Sequence, residues 1–163
     1  MMQSLKIALL AIAILAEQVT SIWAADPRGK RWEHLEGGYS VQIPADLRIA
    51  QTSTMNDFVL YKVTDSKQRE LLVIYLGNFP DTRIKAPKHS VRSSASIAGC
   101  PATSDRWTGK DETFNGMTLI QLINSGRWPT NAHMLFRDLS KDDAEVAEGI
   151  VRSFRRDPAP DRK

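Results

Sequence analysis

The chain has 163 residues, with 22 Lys plus Arg against 19 Asp plus Glu and a net charge of +3. That length suits one domain with its own core, and the mildly basic balance fits an acidic protein partner or an anionic envelope surface better than nucleic acid. Cys100 is the single cysteine, so no internal disulfide can form and the core has to carry stability. Its expected place is that of a small buried apolar side chain, with an intermolecular disulfide or a reactive thiol as the alternatives.

Residues 1–24 have the order of a secretory signal peptide. Lys6 supplies the charge, residues 7–16 form an unbroken apolar run of ten, and Ile22 and Ala24 occupy the two positions that cleavage reads. A bilayer span needs about 20 mainly apolar residues, and Glu17 and Gln18 interrupt this run first. Cleavage is expected after Ala24, with Ala25 next best. No Cys follows that would carry a lipid. The expected product is periplasmic or secreted, without a membrane span. Residues 25–30 read as a flexible lead-in, 31–156 as a single domain and 157–163 as a disordered tail.

Along the domain, Tyr39, Val41 and Ile43 alternate with Ser40 and Gln42, the mark of a strand with one face buried. Gly37-Gly38 makes a turn ahead of it, so residues 31–35 are its expected hairpin partner, and Pro44 ends it. Residues 58–64 give a further strand and Asp65-Ser66-Lys67 a turn. Residues 71–76 are apolar on both parities, which predicts a central strand covered on both faces, with a helix on one side. Within residues 79–104, Val91, Ala95 and Ala98 have helical spacing, and Gly99 fits a helix stop, so a short helix is expected there.

Asn115-Gly116 lies between residues 112–114 and 117–123 and predicts a hairpin turn. Ser125-Gly126 and Pro129 break the second arm, and residues 132–139 give another strand. Residues 140–156 read as a helix capped by Ser140 and Asp143. Val146, Ala147, Ile150, Val151 and Phe154 form its apolar stripe, and Arg152, Arg155 and Arg156 stand at its negative end. Gly149 is unfavourable in a helix interior, and a close approach to the sheet would account for it. The order of elements predicts an α+β fold, a mostly antiparallel sheet with the C-terminal helix packed on it.

The run Gly38-Tyr39-Ser40-Val41-Gln42-Ile43-Pro44 resembles the opening of PsbP-like proteins, and Ile150-Val151-Arg152-Ser153-Phe154 is similar to their terminal helix. The resemblance implies an α-β-α sandwich that serves as a non-enzymatic accessory or partner-binding protein. It places none of the metal or photosystem contacts of the plant members on this chain.

Chemistry-bearing motifs are sparse. His34, His89 and His133 are isolated, no paired-ligand spacing is present, and there is neither a nucleophile elbow nor a phosphate loop. No metal or cofactor is called for. A Ser/His/Asp site assembled from distant residues stays open. Arg-Trp occurs three times, as Arg31-Trp32, Arg106-Trp107 and Arg127-Trp128. Both residue types favour binding hot spots, yet strand neighbours point to opposite faces, which would put each Trp in the core and its Arg in solvent. Arg83, Lys85, Lys88, His89 and Arg92 fall in a stretch without an acid. They form either a solvated loop or a docking patch for an acidic partner.

The expected function is a non-catalytic periplasmic or secreted binding or accessory module that docks a protein or an anionic envelope component. Its candidate contact residues are Arg83, Lys85, Lys88, Arg92, Trp107, Arg127 and Trp128. A periplasmic inhibitor or immunity-type protein and a small hydrolase with a dispersed site are the alternatives. The leader makes a direct prediction: the intact mass of the exported protein should correspond to a chain starting at Ala25 or close to it. Full-length protein integral in membranes would overturn the signal-peptide reading.

Overall fold

Alternation between apolar and polar side chains gives each strand one face to bury, and most of this chain follows that pattern. The computed structural model describes residues 29–80, 85–123 and 127–158. β1 (Lys30–Leu35) and β2 (Tyr39–Pro44) form the expected hairpin. β3 (Arg48–Met55), β4 (Phe58–Thr64) and β5 (Glu70–Gly77) follow, then β6 (Val91–Ile97), β7 (Cys100–Thr108), β8 (Phe114–Gln121) and β9 (Asn131–Leu139). The helix α1 (Lys141–Ser153) and the two-residue strand β10 (Arg155–Arg156) come last. The strands make two antiparallel sheets, a small one ordered β1-β2-β10 and a large one ordered β3-β4-β5-β9-β8-β7-β6.

The register of the large sheet puts its apolar residues in rows. Val59 pairs with Leu76, Tyr61 with Ile74 and Val63 with Leu72 across β4 and β5. The rows continue through Ala132 and Met134 of β9 to Ile120 and Thr118 of β8. All of these are buried. The helix lies over this face against β5, β8, β9 and β2, burying Ala144, Ala147, Ile150 and Val151. Tyr39, Val41 and Ile43 of the small sheet complete the core. Phe154 caps the helix and stacks on Tyr39 with ring centroids 4.9 Å apart. On the opposite face of the large sheet, Leu60, Val73, Tyr75 and Leu135 are half-buried.

Local chemistry fixes the start of α1. Asp143 N–H donates to Ser140 Oγ (3.2 Å), and the Ser140 hydroxyl donates back to Asp143 Oδ2 (2.8 Å). Arg69 donates to Asp143 Oδ2 (2.7 Å) and Asp65 Oδ2 (3.0 Å), tying the β4–β5 turn to the helix. Burial raises the pKa of Asp143, but the bonds from Arg69 and Ser140 outweigh it and hold the carboxyl below its usual range.

The α+β expectation, and with it the α-β-α sandwich, is overturned. Strands take 57% of the described residues, in two antiparallel sheets, with one helix at the C-terminal end. The helix expected within residues 79–104 is the hairpin β6–β7. A four-residue step is also two β repeats, so Val91 and Ala95 share a sheet face as readily as a helix face. Serines at 93, 94 and 96 weaken a helix, and Ala98 (φ 55°) and Gly99 (φ 73°) form the turn.

Asn115-Gly116 is not a turn either. It lies inside β8, and the chain reverses earlier through Gly109 and a single 3₁₀ turn over Lys110–Glu112. The terminal helix ends at Ser153, so Arg155 and Arg156 pair with Tyr39 and Ser40 on β2 instead of facing the helix dipole. β3 has no counterpart in the sequence reading. Residues 1–24, read as a signal peptide, most of the expected lead-in, Ser125-Gly126 and residues 159–163 lie outside the described residues.

Gly149 has open space around it, since a Cβ there meets nothing within 4 Å. The close approach to the sheet is therefore absent. Two substitutions with opposite signs test the helix. Gly149→Ala should stabilise the domain by about 1 kcal/mol through helix propensity. Phe154→Ala should destabilise it by about 3–5 kcal/mol, as a fully buried aromatic. Denaturant melts of the two variants against the parent check both signs.

Candidate functional site

β6 is an edge of the large sheet, and six of its seven residues are exposed. It pairs with β7 without a break in register from Val91 to Ile97. The opposite edge, β3, is interrupted by a bulge between Gln51 and Ser53. Bulges and kinks are common devices that stop edge strands from pairing with other chains. One edge of this sheet carries such a device, and β6 does not.

Several residues singled out in the sequence gather at β6. Lys85, Lys88 and His89 are exposed on the segment leading into it. Arg92 is committed elsewhere: its Nε and Nη2 donate to Asp105 Oδ1 (2.9 Å) and Oδ2 (3.0 Å) across the β6–β7 pair. Asp105 is buried at 3% exposure, so Arg92 holds a buried carboxylate in place and is not a free cation. Arg83 lies outside the described residues.

Where β6 begins, a cavity of about 280 Å³ opens between α1 and the sheet. Phe114, Phe136, Val91 and Ala144 give it an apolar lining, Trp107 contributes to the wall, and Arg106 and Glu148 supply charge. Arg106 Nε donates to Glu148 Oε1 (2.6 Å), which ties β7 to the helix. Its guanidinium carbon also lies 5.3 Å from the Phe136 ring centroid. Gly116 makes this packing possible, because a Cβ there would collide with the Phe136 ring and lie 2.9 Å from Arg106 Cδ. Asn115 is buried, and its side-chain oxygen accepts the Asp138 N–H (3.1 Å) where the β8–β9 register shifts. A Gly inside a strand marks a bulge or a close approach. Read that way, Asn115-Gly116 marks the close approach of Phe136 and Arg106 at this point of β8, but not the cavity beside it.

The other Arg-Trp pairs lie apart. Trp128 is half-buried, and its Nε1–H donates to Asp57 O (3.0 Å), at the end of the sheet opposite Trp107. Arg127 is exposed beside it. Trp32 is 38% exposed under the Arg155 guanidinium, 3.3 Å from its ring centroid. Arg106 faces the helix. The expected division into buried Trp and solvated Arg therefore fails for Arg31-Trp32 and Arg106-Trp107. Cys100 is free and buried.

A Ser/His/Asp trio does assemble, at the small sheet. His34 Nδ1 donates to Asp157 Oδ2 (3.0 Å) and lies 3.1 Å from Ser40 Oγ, and the Ser40 hydroxyl donates to Asp157 Oδ1. A nucleophile relay needs hydroxyl and carboxylate on opposite imidazole nitrogens. Here both meet Nδ1, and Ser40 is fully buried. The trio works as a clasp that, with Asp157 N–H bonded to Gly38 O (2.9 Å), holds the chain after β10 against β2.

Among the described residues, no group of three or more His, Cys, Asp or Glu side chains is placed to share a metal ion. No helix among them is long and apolar enough to cross a membrane.

The clasp predicts a pH dependence. Burial raises the pKa of Asp157, but bonds from Ser40 and His34 outweigh it and hold the carboxyl below its usual value. A depressed carboxyl adds stability above its unfolded pKa of about 3.9, and that stability is lost as pH falls through the folded pKa. Asp157→Asn should therefore lower the melting temperature at neutral pH, with a deficit that shrinks steadily below about pH 4. Melting curves across that range check it, and a deficit independent of pH would remove the carboxylate from the explanation.

Compared with known proteins, the chain matches no family model, and no curated protein is similar to it.

Proposed function

We propose that the protein is an exported, non-catalytic binding module that takes up an extended, acidic segment of a partner protein along β6. The observation that carries this reading is the edge itself, a regular seven-residue strand exposed at six positions and without a bulge. Strand addition to such an edge draws affinity from main-chain hydrogen bonds, which are indifferent to the partner's sequence. Lys85 and Lys88 lie beside the start of the strand and supply the charge preference. The alternative of a hydrolase gains nothing from the clasp, because the Ser40 hydroxyl is buried and bonded to a carboxylate.

Antiparallel pairing makes a test available. Successive residues of β6 send their N–H groups alternately to β7 and to the open edge. Of the neighbours Ser93 and Ser94, proline at one should break the β7 ladder and lower the melting temperature. Proline at the other should leave the fold intact and remove only an edge donor. Peptides selected from a displayed random library on the mature domain should be rich in acids and β-formers. They should lose binding to the stable proline variant and bind more weakly as salt is raised. Selected peptides indifferent to both prolines would overturn strand uptake. So would binding to anionic vesicles that neither proline affects, which would assign the cations to an envelope surface.

A further inference from the structure

We infer that the cavity at the start of β6 is the anchor pocket for an aromatic side chain of the incoming segment. The inference rests on the strand-uptake reading and adds to it the chemistry that selects the partner. Val91 is both the first residue of β6 and part of the cavity lining, so a strand added to β6 passes the cavity mouth. Size narrows the occupant. A cavity of about 150 Å³ holds benzene, and pockets for drug-sized ligands begin at about 300 Å³. At about 280 Å³ this one lies at the lower end of that range and has room for a single large side chain.

The lining narrows it further. Phe114 and Phe136 present aromatic surface for offset or edge-to-face contacts. The charges at the wall neutralise each other, since Arg106 and Glu148 are paired at 2.6 Å. A charged occupant would therefore find only the exposed His89 in the lining as a partner, whereas an aromatic ring needs none. The acids of the segment then fall outside the cavity, toward Lys85 and Lys88, which are exposed. The recognised motif is an aromatic residue next to acids in an extended chain.

The test uses probes that cannot add a strand. N-acetyl-tryptophanamide and N-acetyl-phenylalaninamide, titrated into the ¹⁵N-labelled domain, should shift the amides of Val91, Phe114 and Ala144 and the Trp107 indole. N-acetyl-alaninamide should not. Val91→Trp places a ring at the cavity mouth from an exposed position and should abolish these shifts. Ala144→Leu fills the cavity from the helix side and should do the same if it folds. The stable Ser93 or Ser94 proline variant should keep them, which separates the pocket from the edge. In a selected peptide, replacing the aromatic residue by Ala should weaken binding about tenfold or more, as for an interface hot spot. Aromatic probes that leave these resonances unmoved would overturn the anchor whatever the edge does. Selected peptides without an aromatic preference would overturn it as well.

Discussion

Seven antiparallel strands at a spacing of about 4.8 Å span roughly 30 Å, and a helix is only about 10–12 Å across. One helix cannot cover such a face. Here α1 lies over β5, β9 and β8, and the small sheet is tied to β4 by the Glu36 N–H on Tyr61 Oη (2.8 Å). The burial of the core ends where that cover ends. Val59, Leu72, Ile74, Met134 and Ile120 are sealed, whereas Val91, Ser93 and Ala95 on the same face of β6 are exposed. The cavity lies at this boundary, bridged by the ion pair that joins β7 to the helix, Arg106 with Glu148.

The same boundary governs what can be read in the sequence. Hydrophobic periodicity records a contrast in burial between two faces, so it is clear where one face is sealed. β4, β9 and α1 meet that condition; β2 alternates in its residues although Ser40 is buried as well, and β5 is legible instead as a run apolar on both parities. β3 and β6 are edges with little buried surface. Their sequences, Arg-Ile-Ala-Gln-Thr-Ser-Thr-Met and Val-Arg-Ser-Ser-Ala-Ser-Ile, carry almost no contrast. The first leaves no signal, and the second imitates a helix. The true β7–β8 turn is hidden differently: Gly109 opens it, but its positive-φ positions are held by Asp111 and Glu112 and not by Gly or Asn. Of the candidate site, the cations Lys85 and Lys88 are legible as a charge pattern. The cavity is not, because its walls come from β6, β7, β8, β9 and α1 and meet only after folding.

Charge counting misleads for a related reason. Much of the arginine excess is spent inside the structure. Arg31 reaches back to the carbonyls of Ala45 and Leu47, Arg69 joins a turn to the helix start, and Arg92 holds Asp105. Exposed pairs of this kind add little stability individually. Arg92 with Asp105 differs, because breaking it would strand a buried carboxylate. The net charge of +3 therefore does not describe a uniformly attractive surface. What stays available near β6 is lysine, whose point charge would steer the proposed acidic segment without dictating its geometry.

An open, regular edge is an aggregation hazard if it is also apolar. β6 avoids that through composition, since Ser93, Ser94 and Ser96 offer hydroxyls where a sticky edge would offer branched apolar side chains. Among the described residues no further strand pairs with its outer edge, and its side chains would give an added strand little grip. Discrimination then has to come from beside the strand. The cavity at Val91 and the lysines that precede it are the features next to this edge able to supply it, one through apolar fit and the other through long-range attraction. The division has a physical logic. On the proposed reading, main-chain pairing would give the geometry, charge would set the rate of encounter, and a buried ring would slow departure, the step at which related complexes differ most in affinity.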